Sequence, residues 1–237
     1  MSDPDQSAYQ YLTGPERGLT RETIQRFLLG VVPDDDPDYA DKAGWITIPY
    51  LTPSGAVDLR FRRPPGSDSR AKYKSLPGSQ HRLFNPSAIL TATEEIYVTE
   101  GEMDAMILTQ VGAPAVAVPG ATAWQKPFAL ALQGFERIIV CEDGDDTGAG
   151  KGLTEAILRD LEWATTVRFD GHDVTSYHQE YGPVALLEKV RPRTETMSKE
   201  EDYEHYDENP YPSDLAPILT TPPQGDAWDD QENNPWA

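Results

Sequence analysis

The sequence has little with which to cross-link itself or bind soft metals. One cysteine among 237 residues excludes a disulfide scaffold and any zinc ribbon of Cys type. The four histidines, His81, His172, His178 and His205, share no metal-ligand spacing and read as surface residues. No apolar run approaches the roughly 18 residues of a membrane-spanning helix. The opening "MSDPDQSAYQ" lacks the basic and apolar regions of a secretory signal, so the expectation is a soluble, cytoplasmic protein. Basic side chains are also scarce, 20 against 40 acidic ones, for a net charge of −20.

That charge is unevenly spread. Residues 44–92 carry 7 basic and 2 acidic side chains, whereas 93–190 carry 6 and 17 and 191–237 carry 3 and 12. A basic block beside an acidic one suits phosphates and divalent cations better than it suits plain repulsion of nucleic acid. The segment after 191 is rich in Pro, Asp, Glu and Asn without an apolar period, so it reads as a disordered acidic tail. Its closing "WDDQENNPWA" resembles the partner-binding tips of single-strand-binding proteins.

Two rhythms precede the tail. In the first, "GLTRETIQRFLLG" reads as a helix with Thr20 as N-cap, Gly30 as stop, and Ile24, Phe27 and Leu28 as its buried stripe. "WITIPYL" and "AVDLRFR" flank the turn "TPSG" as a hairpin, followed by the looser stretch that carries Arg70, Lys72 and Lys74. From residue 94, "EIYVT", "AVAVP", "RIIVC" and "ATTVRF" read as strands. The helices "EMDAMILTQVG", "QKPFALALQG" and "GLTEAILRDLEW" separate them. Such alternation predicts βαβ units and a parallel sheet, whose functional loops lie at the carboxyl ends of the strands.

The carboxylate clusters fall at those ends: "TEGEMD", "CEDGDD" and "DGHDVTSY". Crowded carboxylates repel one another unless a cation or water screens them, so "CEDGDD" is either a metal site or a solvated turn. It is not a P-loop, because Asp145 stands where the first glycine belongs and Gly152 where the hydroxyl belongs. Nor is it an EF-hand loop, whose last ligand would be Thr154. Asp104 reads equally as an acidic first-turn residue and Asp173 as a helix cap. Glu102, Glu142 and Asp146 read as solvated, and Cys141 as core.

The ordered series "VTEGEMDAM", "GATAW", "EDGDDTGAG", "GHDVTSY" resembles the Toprim domain of DnaG-type primases, topoisomerases and some nucleases. Glu100 and Gly101 match its Glu-Gly pair, and Asp143 and Asp145 its Asp-x-Asp. Asp104 and Gly148 match the longer primase forms. The further acidic pair is half matched, with Asp173 present and Thr175 in place of the second carboxylate. "WITIPYLTPSGAVDLRFRR" and "AKYKSLPGSQHRLFN" are similar to the N-terminal subdomain of the primase core. There a basic hairpin and a Lys-Tyr pair, matched by Lys72 and Tyr73, serve the reaction.

The resemblance implies an α/β fold: a small α+β subdomain at 1–92, a Toprim parallel sheet with flanking helices at 93–190, and the tail at 191–237. It implies a bacteriophage primase, a nucleotidyltransferase that makes short primers from NTPs on single-stranded DNA inside a bacterial host. Glu100, Asp143, Asp145 and Lys72 would be catalytic. Glu100, Asp104, Asp143, Asp145 and Asp173 would hold Mg²⁺ or Mn²⁺. Arg60, Arg62, Arg63, Lys74, Gly101 and Gly148 would bind substrate, and mutating Arg62 would change kinetics more than stability. The tail would meet a helicase or a single-strand-binding protein. No zinc module is expected before residue 44, a segment without cysteine or histidine. A Toprim nuclease, and a non-catalytic factor binding DNA or a helicase, remain open alternatives.

Overall fold

The computed structural model describes residues 4–67, 69–120, 122–144 and 149–191. Asp145, Gly148 and the tail from residue 192 onward lie outside the described residues, and so do the roles expected of them. The described chain forms two compact units that divide between Gln80 and His81.

The first unit begins with helices α1 (Pro4–Thr13) and α2 (Arg21–Arg26). A four-stranded antiparallel sheet follows in the order β1 (Gly30–Val31), β2 (Ile46–Thr52), β3 (Gly55–Arg62), β4 (Tyr73–Ser75). The expected hairpin is β2–β3, and the stretch read as irregular supplies β4. Ile46, Ile48 and Tyr50 are buried on one face of β2, while Val32, Trp45 and Phe61 pack together with Tyr39, Leu59 and Leu76.

The end of α2 differs from expectation. Thr20 caps its start, its hydroxyl accepting from Thr23 N, but the helix stops at Arg26 rather than near Gly30. Leu28 adopts φ 49° and is 62 % exposed, so it does not belong to the buried stripe; Leu29 takes that place. Leu29 N donates to Ile24 O and Leu28 N to Gln25 O, the paired bonds of a Schellman motif with leucine at its left-handed position. A leucine there costs about 1–2 kcal/mol against glycine. Leu28→Gly is therefore expected to stabilise the protein by about 1 kcal/mol, read as a small upward shift in a urea-melt midpoint. No gain would mean that the Leu28 side chain makes contacts worth as much as the strain.

In the second unit, α3 (Ser87–Thr91) precedes β5 (Glu95–Thr99), α4 (Glu102–Gln110), β6 (Ala115–Ala117), α5 (Lys126–Leu132), β7 (Arg137–Gly144), α6 (Ala149–Asp160), β8 (Thr165–Asp170) and α7 (Val174–Val190). The strands are parallel in the order β6-β5-β7-β8, as the alternating rhythm predicts. The centre is buried on both faces, which is why "IYVT" and "IIVC" are continuous apolar runs. Ile96, Val98, Ile138 and Val140 pack with residues of α5 and α6. Strand alternation turns Tyr97, Ile139 and Cys141 to the other face, and α4 and α7 contact that sheet and each other. Residues 81–92 join this unit through a bridge between Phe84 and Ala117. Asn85 supports the bridge from a left-handed φ of 55°, its Nδ2 donating to Ala115 O at 2.8 Å.

Helix α7 has little amphipathic signal in sequence and breaks at Gly182, φ 84°, just before Pro183. Of the described residues, none forms a helix long and apolar enough to cross a membrane.

Candidate functional site

Glu100 follows β5, and Asp143 is the next-to-last residue of the neighbouring strand β7. Both are half-buried. The turn carrying Glu100 is tied down by Thr99, whose buried hydroxyl donates to Gly101 O at 2.9 Å. Asp143 sits in register with Phe169 on β8 and shares the β7 face of Cys141. Cys141 is core, as expected, and burial pushes its thiol pKa up, with the Asp104 and Asp143 carboxylates acting in the same direction.

Asp104, in the first turn of α4, is 7 % exposed. Its Oδ1 accepts from Thr175 Oγ1 at 2.6 Å and from Thr175 N at 3.0 Å. Asp173 is the N-cap of α7: its Oδ1 accepts from Ser176 N at 2.6 Å while Ser176 Oγ accepts from Asp173 N at 3.0 Å. Of the two roles open to Asp173, the structure shows the cap.

The motif glycines have steric reasons. A β-carbon on Gly101 would lie 2.6 Å from Asp104 Oδ2, and one on Gly144 would lie 2.3 Å from Phe169 O. Gly101 thus clears the Asp104 carboxylate, and Gly144 lets β7 and β8 close together. Glu102 corrects the sequence reading. It is 1 % exposed, not solvated, on a helix buried from Glu102 to Thr109. Glu142 is half-buried, with Arg168 Nε at 3.6 Å. Only the uninterrupted burial of α4, visible as "MDAMIL", could have signalled a buried Glu102.

In the first unit, strand alternation splits the basic set. Arg62 pairs with Tyr73 in register, Phe61 with Lys74, and Arg60 with Ser75. Arg62 is 4 % exposed; its Nη2 and Nε donate to Tyr11 Oη at 2.7 and 3.1 Å, and its Nη1 donates to Tyr73 Oη. Burial opposes its charge, and the Tyr73 and Tyr11 oxygens more than offset this, leaving its pKa raised. Arg60 stacks on the Tyr73 ring at 4.6 Å. Lys74, on the opposite face, reaches Asp41 at 2.8 Å and lies 4.9 Å from the Trp45 ring centroid. Beside two lysine ammonium groups, the exposed Asp41 carboxyl has its pKa lowered to about 2. Arg63 Nη1 donates to Ser69 O, and Lys72 is exposed.

Among the described residues no group of three or more His, Cys, Asp or Glu side chains is arranged to hold a metal ion. Mg²⁺ keeps several waters and takes one or two carboxylates with substrate phosphates, and Glu100 and Asp143, oxygen donors at adjacent strand ends, fit that need.

Residues 97–179 match the family described as Toprim-like. The Gene 57 protein of Mycobacterium phage D29 is 31 % identical over 153 residues, which cover 62 % of this chain and 98 % of that protein. A DNA primase of Haemophilus influenzae is 27 % identical over 227 residues, covering 77 % of this chain but 38 % of the primase. The RNA polymerase domain of Mycobacterium tuberculosis primase DnaG shares the fold, with a TM-score of 0.64 at 20 % identity over 80 % of this chain and 77 % of that one. The chain belongs to the family of the phage D29 Gene 57 protein and is a Toprim-domain protein resembling the catalytic core of DnaG-type primases.

Proposed function

We propose that this protein is a primase-type nucleotidyltransferase that joins NTPs into short primers on single-stranded DNA. The observation that carries the reading is the pair Glu100 and Asp143, fixed at the carboxyl ends of adjacent parallel strands in a Toprim sheet. In the reaction a hydroxyl oxygen bonds to the α-phosphorus of the incoming nucleotide, the bond to pyrophosphate breaks, and the hydroxyl proton leaves. A Mg²⁺ ion held by Glu100 and Asp143, with Asp145 beside them in sequence, would make that hydroxyl more acidic and stabilise the leaving pyrophosphate. The Thr99 hydroxyl restrains the Glu100 turn through Gly101 O, which lowers the cost of ordering its carboxylate.

Lys72 and Arg63 carry the phosphate contacts in this reading, with Arg60 stacked on Tyr73 next to them in the sheet. Arg62, on the same face as Arg60, ties β3 to β4 through the Tyr73 hydroxyl. Lys72→Ala is expected to raise the apparent KM for NTPs by about tenfold, the loss of one charge-assisted hydrogen bond. Because Lys72 is exposed, its melting temperature should not change. Unaltered kinetics with a lowered melting temperature would assign Lys72 to the fold instead.

The decisive assay combines single-stranded DNA, Mg²⁺ or Mn²⁺ and labelled NTPs. Ladders of short labelled products are the expected result. Shortened DNA would make the protein a Toprim nuclease. No change in either strand would favour the second reading, a non-catalytic replication factor, which the bonding of Asp104 and Asp173 to the start of α7 supports.

A further inference from the structure

Two of the five carboxylates expected to bind the cation do something else in this fold. Asp173 and Asp104 both meet the first turn of α7, where backbone N–H groups have no partner within the helix. Asp173 satisfies the N–H of Ser176 from within the same segment, and Asp104 satisfies that of Thr175 from 71 residues away. The Thr175 hydroxyl donates to the same Asp104 oxygen, at 2.6 Å. A carboxylate oxygen has two in-plane lone pairs, and Thr175 occupies both of those on Oδ1. On the other side, Asp104 Oδ2 lies 2.6 Å from where a β-carbon of Gly101 would be, against the turn that follows Glu100.

We propose that Asp104 is a positioning residue: it clamps Thr175, and with it the start of α7, against the turn that presents Glu100, and it is not a ligand of the cation. The statement about the cation rests on the function proposed above; the clamp does not. Threonine at position 175 is part of the device. A second carboxylate there could not donate to Asp104 and would repel it inside a buried pocket. The cation is thereby left to Glu100, Asp143 and the residues that follow Asp143.

Melting in EDTA tests the clamp without any metal. Asp104→Ala and Thr175→Val are each expected to lower the melting temperature by about 5 °C, the scale of a buried hydrogen bond to a charged group in a chain of this size. The double variant should melt no lower than the worse single one, because the two residues act as one unit. Asp104→Asn keeps an acceptor oxygen for Thr175 and should recover most of the Asp104→Ala loss. Additive losses in the double variant would overturn the clamp.

Mn²⁺ titration of the full chain tests the other half. Asp104→Asn should weaken binding at least tenfold less than Asp143→Asn does, and an equal loss in the two would make Asp104 a ligand. If the unaltered protein takes up no Mn²⁺, the nucleotidyltransferase reading fails, and the clamp stands or falls on the melts alone.

Discussion

Asp143→Asn is expected to lower the proposed primer synthesis by at least about 100-fold and to leave the protein as stable as before, or slightly more so. The first half follows from position. Asp143 is half-buried at the carboxyl end of a central parallel strand, where α/β sheets gather their functional groups, and the adjacent strand leads into Glu100. The second half follows from charge. After burial, Asp104 and Asp143 both push the pKa of the Cys141 thiol up, so both carboxylates lie close to one another's side of the sheet. Neutralising one carboxylate there relieves repulsion on the order of 1 kcal/mol. The asparagine keeps the shape of the side chain, so the register with Phe169 survives. Synthesis rates and melting in EDTA, measured on the same preparation, check both halves. Near-normal synthesis would end the metal assignment, and a matching loss of stability would make Asp143 a structural residue.

Arg62→Ala, in contrast, is expected to destabilise the first unit by about 3 kcal/mol. The substitution removes a buried cation and leaves the Tyr11 and Tyr73 hydroxyls without the donor that now bridges them. It also strips the face of Tyr73 that lies 5.0 Å from the guanidinium carbon. Lysine cannot substitute: a single ammonium lacks the planar fork that serves two phenol oxygens, so Arg62→Lys should recover only part of the loss. Urea denaturation gives the measurement, and Lys72→Ala, at the exposed residue just before Tyr73, is the control. A change below about 0.5 kcal/mol for Arg62→Ala would return Arg62 to the set of substrate-facing residues.

These two residues show where sequence reasoning succeeds and where it stops. The place of Asp143 at a strand end was legible because its signal is local: an apolar run, then carboxylates and a glycine, in a strand-turn-helix rhythm. The burial of Arg62 was not legible, for an equally local reason. "RFRR" displays three basic residues in four positions, and nothing within it says that α1 supplies Tyr11 to cover one of them. Glu102 is the converse case. Its neighbours look like an ordinary acidic helix start, yet α4 is buried on all sides in the described fold. The end of α2 has the same origin, since the Schellman bonds of Leu28 and Leu29 put a leucine where sequence rules expect a glycine.

By itself the sequence determined the alternation of strands and helices, the parallel sheet, the hairpin, and the two strand ends that carry Glu100 and Asp143. Those properties depend on periodicity and on neighbours a few residues apart, which the chain displays directly. Only the tertiary structure decided how the remaining polar groups are used. It assigned Asp104 to Thr175, Asp173 to the start of α7, Arg62 to Tyr11 and Tyr73, and Lys74 to Asp41. A buried or half-buried charge is stable only with a partner, and three of these five partners lie 30 or more residues away along the chain. Which partner is within reach is settled by packing, and packing is not written in any short stretch of sequence.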